Sequence, residues 1–278
     1  MKENLKVNIL WLLLLLAGYS LISVLVSVGV LNLFYVQILQ QIGINIILAV
    51  GLNLIVGFSG QFSLGHAGFM AIGAYAAAII GSKSPTYGAF FGAMLVGALL
   101  SGAVALLVGI PTLRLKGDYL AVATLGVSEI IRIFIINGGS LTNGAAGILG
   151  IPNFTTWQMV YFFVVITTIA TLNFLRSPIG RSTLSVREDE IAAESVGVNT
   201  TKIKIIAFVF GAITASIAGS LQAGFIGSVV PKDYTFINSI NVLINVVFGG
   251  LGSITGAIVS AIVLGILNML LQDVASVR

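Results

Sequence analysis

The chain of 278 residues has no cysteine, one histidine and five prolines, and it carries only 13 Lys and Arg against nine Asp and Glu. Without thiols there is no disulfide scaffold, thiolate metal site or cysteine nucleophile, and a single histidine excludes a multi-histidine metal centre. No metal site and no bound cofactor are therefore expected. Charged residues make up 8% of the sequence, whereas about 25% is usual in a soluble domain. That is too little charge to cover a water-facing surface.

Apolar residues and glycine take up the remainder. Hydrophobic residues account for 58% of the chain, there are 33 glycines, and the mean hydropathy is +1.11. The net charge of +4 is spread over loops rather than gathered into a stripe. Nucleic acid is thus no expected partner, and membrane lipid is. These features predict an all-α integral membrane protein, a single transmembrane domain over residues 1–278.

Apolar stretches occur at about 8–31, 36–57, 62–81, 87–110, 119–137, 158–175 and 205–226, followed by a Gly-interrupted region over 237–271. Spanning a bilayer takes roughly 20 residues of helix, so the expectation is a polytopic bundle of about 8–10 membrane segments, some of them discontinuous. The N-terminus starts with Lys2 and Lys6 and runs apolar from Ile9 past Val30, which suits a spanning helix better than a cleaved signal peptide. If each stretch up to 226 crosses once from a cytoplasmic N-terminus, the inside segments hold Lys2, Lys6, Arg114, Lys116, Arg176, Arg181, Arg187, Lys202 and Lys204. The outside segments hold only Lys83 and Lys232. Such asymmetry orients a multi-pass protein with its basic loops in the cytoplasm.

Nine charged residues crowd between Arg176 and Lys204. Within this block, Ser185 and Glu188 have the spacing of a capping box and Gly197 that of a C-terminal stop, predicting a short helix over about Val186–Val196. It reads either as a docking helix at the cytoplasmic face or as a solvated loop kept charged for orientation.

Two Gly-broken segments share a spacing: Asn53, Gly57 and Gly60, and Asn245, Gly249 and Gly252, each followed three positions later by a hydroxyl residue, Ser63 and Thr255. Paired interruptions in the two halves of a transporter mark discontinuous helices that line a pathway. Ser59, His66 and Gly250 belong to the same candidate set. His66 reads equally as a hydrogen-bonded buried residue at a helix start. Ladders of small residues (Ala93, Gly97, Ser101, Ala105, Gly109; Gly211, Ala215, Gly219, Ala223) imply close helix packing in lipid.

Glu129 and Arg132 lie inside an apolar stretch. Each would cost roughly 2.5–3.5 kcal/mol at a lipid-facing helix centre, so both should face protein or water. Their i, i+3 spacing permits an ion pair, structural or tied to gating. Asp118 reads as the N-cap of that stretch. In LTNGAAGILGIP (Leu141–Pro152), the repeated glycines suit close backbone approach, to another protein or back into the bundle.

The run LNLIVGFSGQFSLGHAGFMAIGAYAAA, then RLKGDYLAVATLGVSEIIRI with LTNGAAGILGIP, SPIGRSTLSVREDEIAAESVGVN and PKDYTFINSINVLINVVFGGLGSITGA resemble the permease subunits of branched-chain amino acid ABC importers. The order and wording are closer to the LivM type than to the LivH type. Similarity extends from about Asn45 to Gly265. The resemblance implies an importer subunit of a prokaryotic plasma membrane (the cell inner membrane), for leucine, isoleucine and valine, with urea or amide importers as relatives. It would pair with a second, LivH-type permease, sit on two cytoplasmic ATPase subunits, and receive solute from an extracytoplasmic binding protein. The resemblance also implies a further apolar segment after Arg278.

Within that family the charged block corresponds to a coupling loop with an EAA-x3-G pattern. Ala192, Ala193 and Gly197 match it, while Ile191 stands at the usual glutamate position and Glu190 lies one residue early. Glu188, Asp189, Glu190 and Glu194 are further candidates for polar contacts at the rim. No GxxxxGK[ST] phosphate loop occurs in the chain, so ATP and Mg would be used by partner subunits.

Two other functions would draw on the same residues. A secondary transporter or channel independent of an ATPase would use Glu129 as a proton site. A rhomboid-like intramembrane serine protease would draw on Ser59 in GFSG and on His66, yet seven residues on one straight helix separate them by about 10 Å.

Overall fold

The computed structural model describes residues 17–115 and 117–275; Lys2, Lys6, Lys116, Arg278 and the start of the first expected span lie outside that range. The helices are α1 (Ala17–Ser27), α2 (Leu33–Asn53), α3 (His66–Lys83), α4 (Tyr87–Thr112), α5 (Asp118–Ile136), α6 (Trp157–Arg176), α7 (Pro178–Glu188), α8 (Glu190–Ser195), α9 (Thr200–Ile226), α10 (Phe236–Gly249) and α11 (Ile254–Ala275). One antiparallel pair of two-residue strands joins β1 (Ile148–Leu149) to β2 (Ser228–Val229), with Ile148 opposite Val229.

Six of the described helices are long and apolar enough to cross a bilayer: Leu33–Phe58, Tyr87–Thr112, Asp118–Ile136, Trp157–Arg176, Thr200–Ile226 and Ile254–Leu271. Together with the shorter α1, α3 and α10 they form a polytopic all-α membrane protein, as the hydropathy pattern predicts. Large apolar side chains such as Leu99, Leu107, Val122, Phe134 and Phe162 are exposed on its perimeter, which is stable in lipid and would not be in water.

The centre is a trio of α3, α4 and α9 held at backbone contact. A Cβ on Gly73 of α3 would fall 1.9 Å from the Ser216 carbonyl oxygen of α9, and one on Gly219 would fall 2.0 Å from that of Met70. Ser101 Oγ of α4 donates to Ala212 O at 2.8 Å, and Ser220 Oγ of α9 to Gly73 O at 2.9 Å. The small-residue ladders are buried: Ala93, Gly97, Ser101, Ala105 and Gly109 on α4, and Gly211, Ala215, Gly219 and Ala223 on α9, where Gly211 meets Gly51 and Ile55 at the end of α2. Small side chains let dispersion and hydroxyl–carbonyl bonds act where lipid removes the usual hydrophobic drive between helices.

At one end of the bundle the Leu141–Pro152 loop returns into the protein. Gly147 takes φ +74°, and a Cβ there would meet Val229 O at 2.2 Å, so its glycine serves the pairing of β1 with β2. Nearby, Tyr234 is buried; burial first, and then the Asp233 carboxylate, push its phenol above the ordinary range, so it stays a neutral donor toward Gln222.

Candidate functional site

The opposite end gathers two helix interruptions and the charged segment. The first follows Asn53, where α2 widens into a π turn over Leu54–Phe58, with Ser59 N–H bonded to Leu54 O and Gln61 N–H to Ile55 O, both at 3.0 Å. Irregular backbone then runs from Ser59 to Gly65 before α3 begins at His66. The expected span at 62–81 therefore starts later than its apolar residues suggest. Non-helical backbone at membrane depth is tolerable only when protein covers it, and Ser59, Gln61, Ser63, Gly65 and His66 are all buried. Neighbouring side chains satisfy its amides: Thr124 Oγ1 of α5 accepts from Leu64 N–H at 3.0 Å, and Ser239 Oγ of α10 accepts from Ala67 N–H at 2.9 Å.

The second interruption is the turn Gly250–Ser253 between α10 and α11, where Gly250 and Gly252 take φ of +91° and +82°. The two breaks, about 200 residues apart in sequence, meet through one side chain. The Asn53 amide is fully buried; its Nδ2 donates to Ser253 O at 2.8 Å and its Oδ1 accepts from Gly252 N–H at 2.9 Å. Gly57 completes the fit, since a Cβ there would sit 2.0 Å from Asn53 Oδ1 and 2.4 Å from Gly252 N.

The matching spacing does not produce matching geometry. Gly249 packs on the Gly256 backbone, and the Asn245 carbonyl accepts from Ser260 Oγ across the α10–α11 hairpin. The two hydroxyls of the pattern act locally: Ser63 Oγ accepts from Gly65 N–H, and Thr255 Oγ1 bonds Ser253 Oγ.

The charged block corrects one expectation. Ser185 is not an N-cap: α7 starts at Ser177 and Pro178 and runs through Ser185, whose hydroxyl donates back to Ser182 O. The helix instead breaks at Asp189, whose extended backbone (φ −154°, ψ 110°) lets Oδ1 accept from both Ile191 and Ala192 N–H, at 2.9 and 3.0 Å, capping α8. The Ser-x-x-Glu spacing loses because Pro178 and the Ser177 cap already fix an upstream start, and Asp189 captures two amides where Ser185 would capture one. Gly197 does end the segment, at φ +87° with its N–H on Glu194 O. Asp118 is likewise the first residue of α5, not its cap; Gly117 occupies that position.

Most of the acidic side chains in the block hold it together. Glu190 pairs with Lys204 Nζ at 2.6 Å, and Glu194 Oε1 accepts from Thr200 Oγ1 at 2.7 Å. Glu188 remains largely exposed, 3.9 Å from Arg187. The alanines divide: Ala193 is 3% exposed, packed into the chain, while Ala192 faces outward. Beside Ala192 stand Ile191 and Val196, 77% and 78% exposed. A six-residue helix thus presents an apolar tip on a segment otherwise rich in charge.

Elsewhere, Arg132 Nε and Nη2 both lie 2.7 Å from Glu129 Oε2, each side chain about a quarter exposed. Ser59 Oγ is engaged by Gln61 Nε2, and no hydrogen bond joins it to either ring nitrogen of His66, so no Ser–His dyad forms. A sequence reading had no signal for Gln61 or Arg187, which are ordinary polar residues until the breaks fold over them.

The family profile for the permease component of branched-chain amino acid transport systems matches residues 34–278. The high-affinity branched-chain amino acid transport system permease protein LivM of Salmonella typhimurium is 37% identical over 218 residues, covering 66% of this chain and 51% of that protein. Its Escherichia coli K12 counterpart is 35% identical over the same coverage. The corresponding LivH of Salmonella typhimurium is 32% identical over 153 residues, 53% of this chain and 47% of LivH. This chain spans about half the length of the curated LivM relatives it matches. No solved structure matches it. The profile match, the LivM similarity and the helical bundle agree, and the chain belongs to the family of branched-chain amino acid transport system permease components.

Proposed function

We propose that this chain is a permease subunit of an ATP-driven importer for branched-chain amino acids, forming the translocation path with a second permease of the LivH type. In this reading the end bearing α7 and α8 faces the cytoplasm of a prokaryote. Two ATPase subunits, which use ATP and Mg, dock there, and an extracytoplasmic binding protein delivers solute at the β1–β2 end. The observation that carries the reading is the outward tip of α8. Ile191, Ala192 and Val196 are exposed on a short, capped helix braced by the Glu190–Lys204 pair, a small apolar knob suited to a groove on another protein. An ion-driven carrier has no use for such a knob, and the Glu129 it would need as a proton site is held by Arg132.

The test is Ala192→Arg. Ala192 faces outward, so the variant should insert and pair with its partner permease at wild-type yield, while the ATPase subunits fail to co-purify and uptake stops. Full recovery of ATPase with normal uptake would reduce the segment from Arg176 to Lys204 to a solvated loop.

A further inference from the structure

We propose that Arg187 is the positioning residue through which the charged segment holds both helix breaks; the inference rests on reading that segment as the ATPase docking site. Arg187 is in the last turn of α7, two residues before Asp189 caps α8. Its side chain lies across two glycines from different parts of the chain. Cγ is 3.3 Å from where a Cβ on Gly60 would be, and Nη1 is 2.7 Å from where a Cβ on Gly252 would be. Both glycines have positive φ, +68° and +82°, so side chains are disfavoured there on backbone grounds, and the space falls to the arginine.

The same Gly252 donates its N–H to Asn53. One connected group therefore runs from the end of α2 through Asn53 and the α10–α11 turn to Arg187, and through Arg187 back to Gly60 just after the π turn. The carboxylate of Glu188 approaches Arg187 Nε only to 3.9 Å and is 77% exposed, so that pair contributes little to seating the side chain. Arg187 also forms one wall of a cleft of about 220 Å³ shared with Ser59, Gln61, Leu120, Glu190 and Lys204. A displacement of α7 and α8 by a docked partner would reach both interruptions at once through this contact. Lysine would keep a long stem but lack the planar head that lies against Gly252.

The chain has no cysteine, which permits a clean reporter: Leu251→Cys, half-exposed beside Gly252. The complete complex of both permeases, the ATPases and the binding protein is compared without nucleotide and with vanadate-trapped ADP, measuring the labelling rate by a hydrophilic maleimide. With Arg187 present, labelling should differ several-fold between the two states. With Arg187→Ala the difference should collapse, and uptake per ATP hydrolysed should fall about tenfold, a coupling loss of ordinary size; Arg187→Lys should lie between. An Arg187→Ala complex with wild-type uptake per ATP and state-dependent labelling overturns the inference alone, even if its yield is reduced. A wild-type chain that recruits no ATPase overturns the docking reading and this inference with it.

Discussion

Asn53→Ala removes the clamp between the two helix breaks. Asn53 has 0% exposure and makes two bonds, 2.8 Å to Ser253 O and 2.9 Å from Gly252 N–H. Truncation leaves the Gly252 N–H without its partner, while Ser253 O keeps only its bond from Ala257 N–H at 3.0 Å. Abandoning a buried donor costs about 1–3 kcal/mol; Gly252 is half-buried, so the loss falls at the lower end of that range, less whatever water recovers. Asn53→Asp retains an acceptor for Gly252 N–H but turns a carboxylate oxygen on Ser253 O, and should be at least as damaging. Gly57→Ala attacks the same contact, because its Cβ would fall 2.0 Å from Asn53 Oδ1. The assay is the midpoint of heat-induced loss of the monodisperse peak in detergent. Each single variant should lower the midpoint, and the double variant Asn53→Ala, Gly57→Ala should fall well short of the sum, since both act on one contact. An Asn53→Ala protein melting with wild type, or strict additivity with Gly57→Ala, would refute the clamp.

Ala193→Arg probes the chain's own packing rather than docking: Ala193 is 3% exposed, overpacking costs about 1–3 kcal/mol, and a buried unpaired charge adds to that. It should lower the melting midpoint of the isolated chain, whereas Ala192→Arg should not; equal midpoints for the two would show that the alanines are not divided as described. Gly147→Ala should destabilise through its φ of +74° and the 2.2 Å approach to Val229 O, detected as a lower midpoint; unchanged stability would remove the structural role of that glycine.

The bundle was legible in the sequence because burial in lipid writes a one-dimensional signal. Twenty or so apolar residues in a row state a span, and four-residue ladders such as Gly211, Ala215, Gly219 and Ala223 state which face another helix approaches. The Asn-x3-Gly-x2-Gly repeat located both interruptions. It could not reveal that they touch, because the bond from Asn53 to Gly252 joins residues 199 apart and no local pattern encodes that distance. Nor could it reveal that the copies differ: Asn53 ends in a π turn while Asn245 sits on a short helix turning sharply into α11. The charged block was visible by composition, yet its capping was misassigned. Ser185 and Asp189 are both competent caps, and the choice between them depends on where the Pro178 helix is already running. The split between Ala192 and Ala193 is likewise tertiary, set by how α8 folds back on α7 and α9.

The most direct test of the central claim is uptake. The chain is reconstituted in liposomes with its partner permease, two ATPase subunits and the binding protein, and accumulation of labelled leucine is followed with urea as the comparison solute. Accumulation of leucine that requires ATP on the ATPase side and binding protein on the other is the expected result. Leucine uptake that proceeds without the ATPase subunits and follows an imposed ion gradient would contradict it.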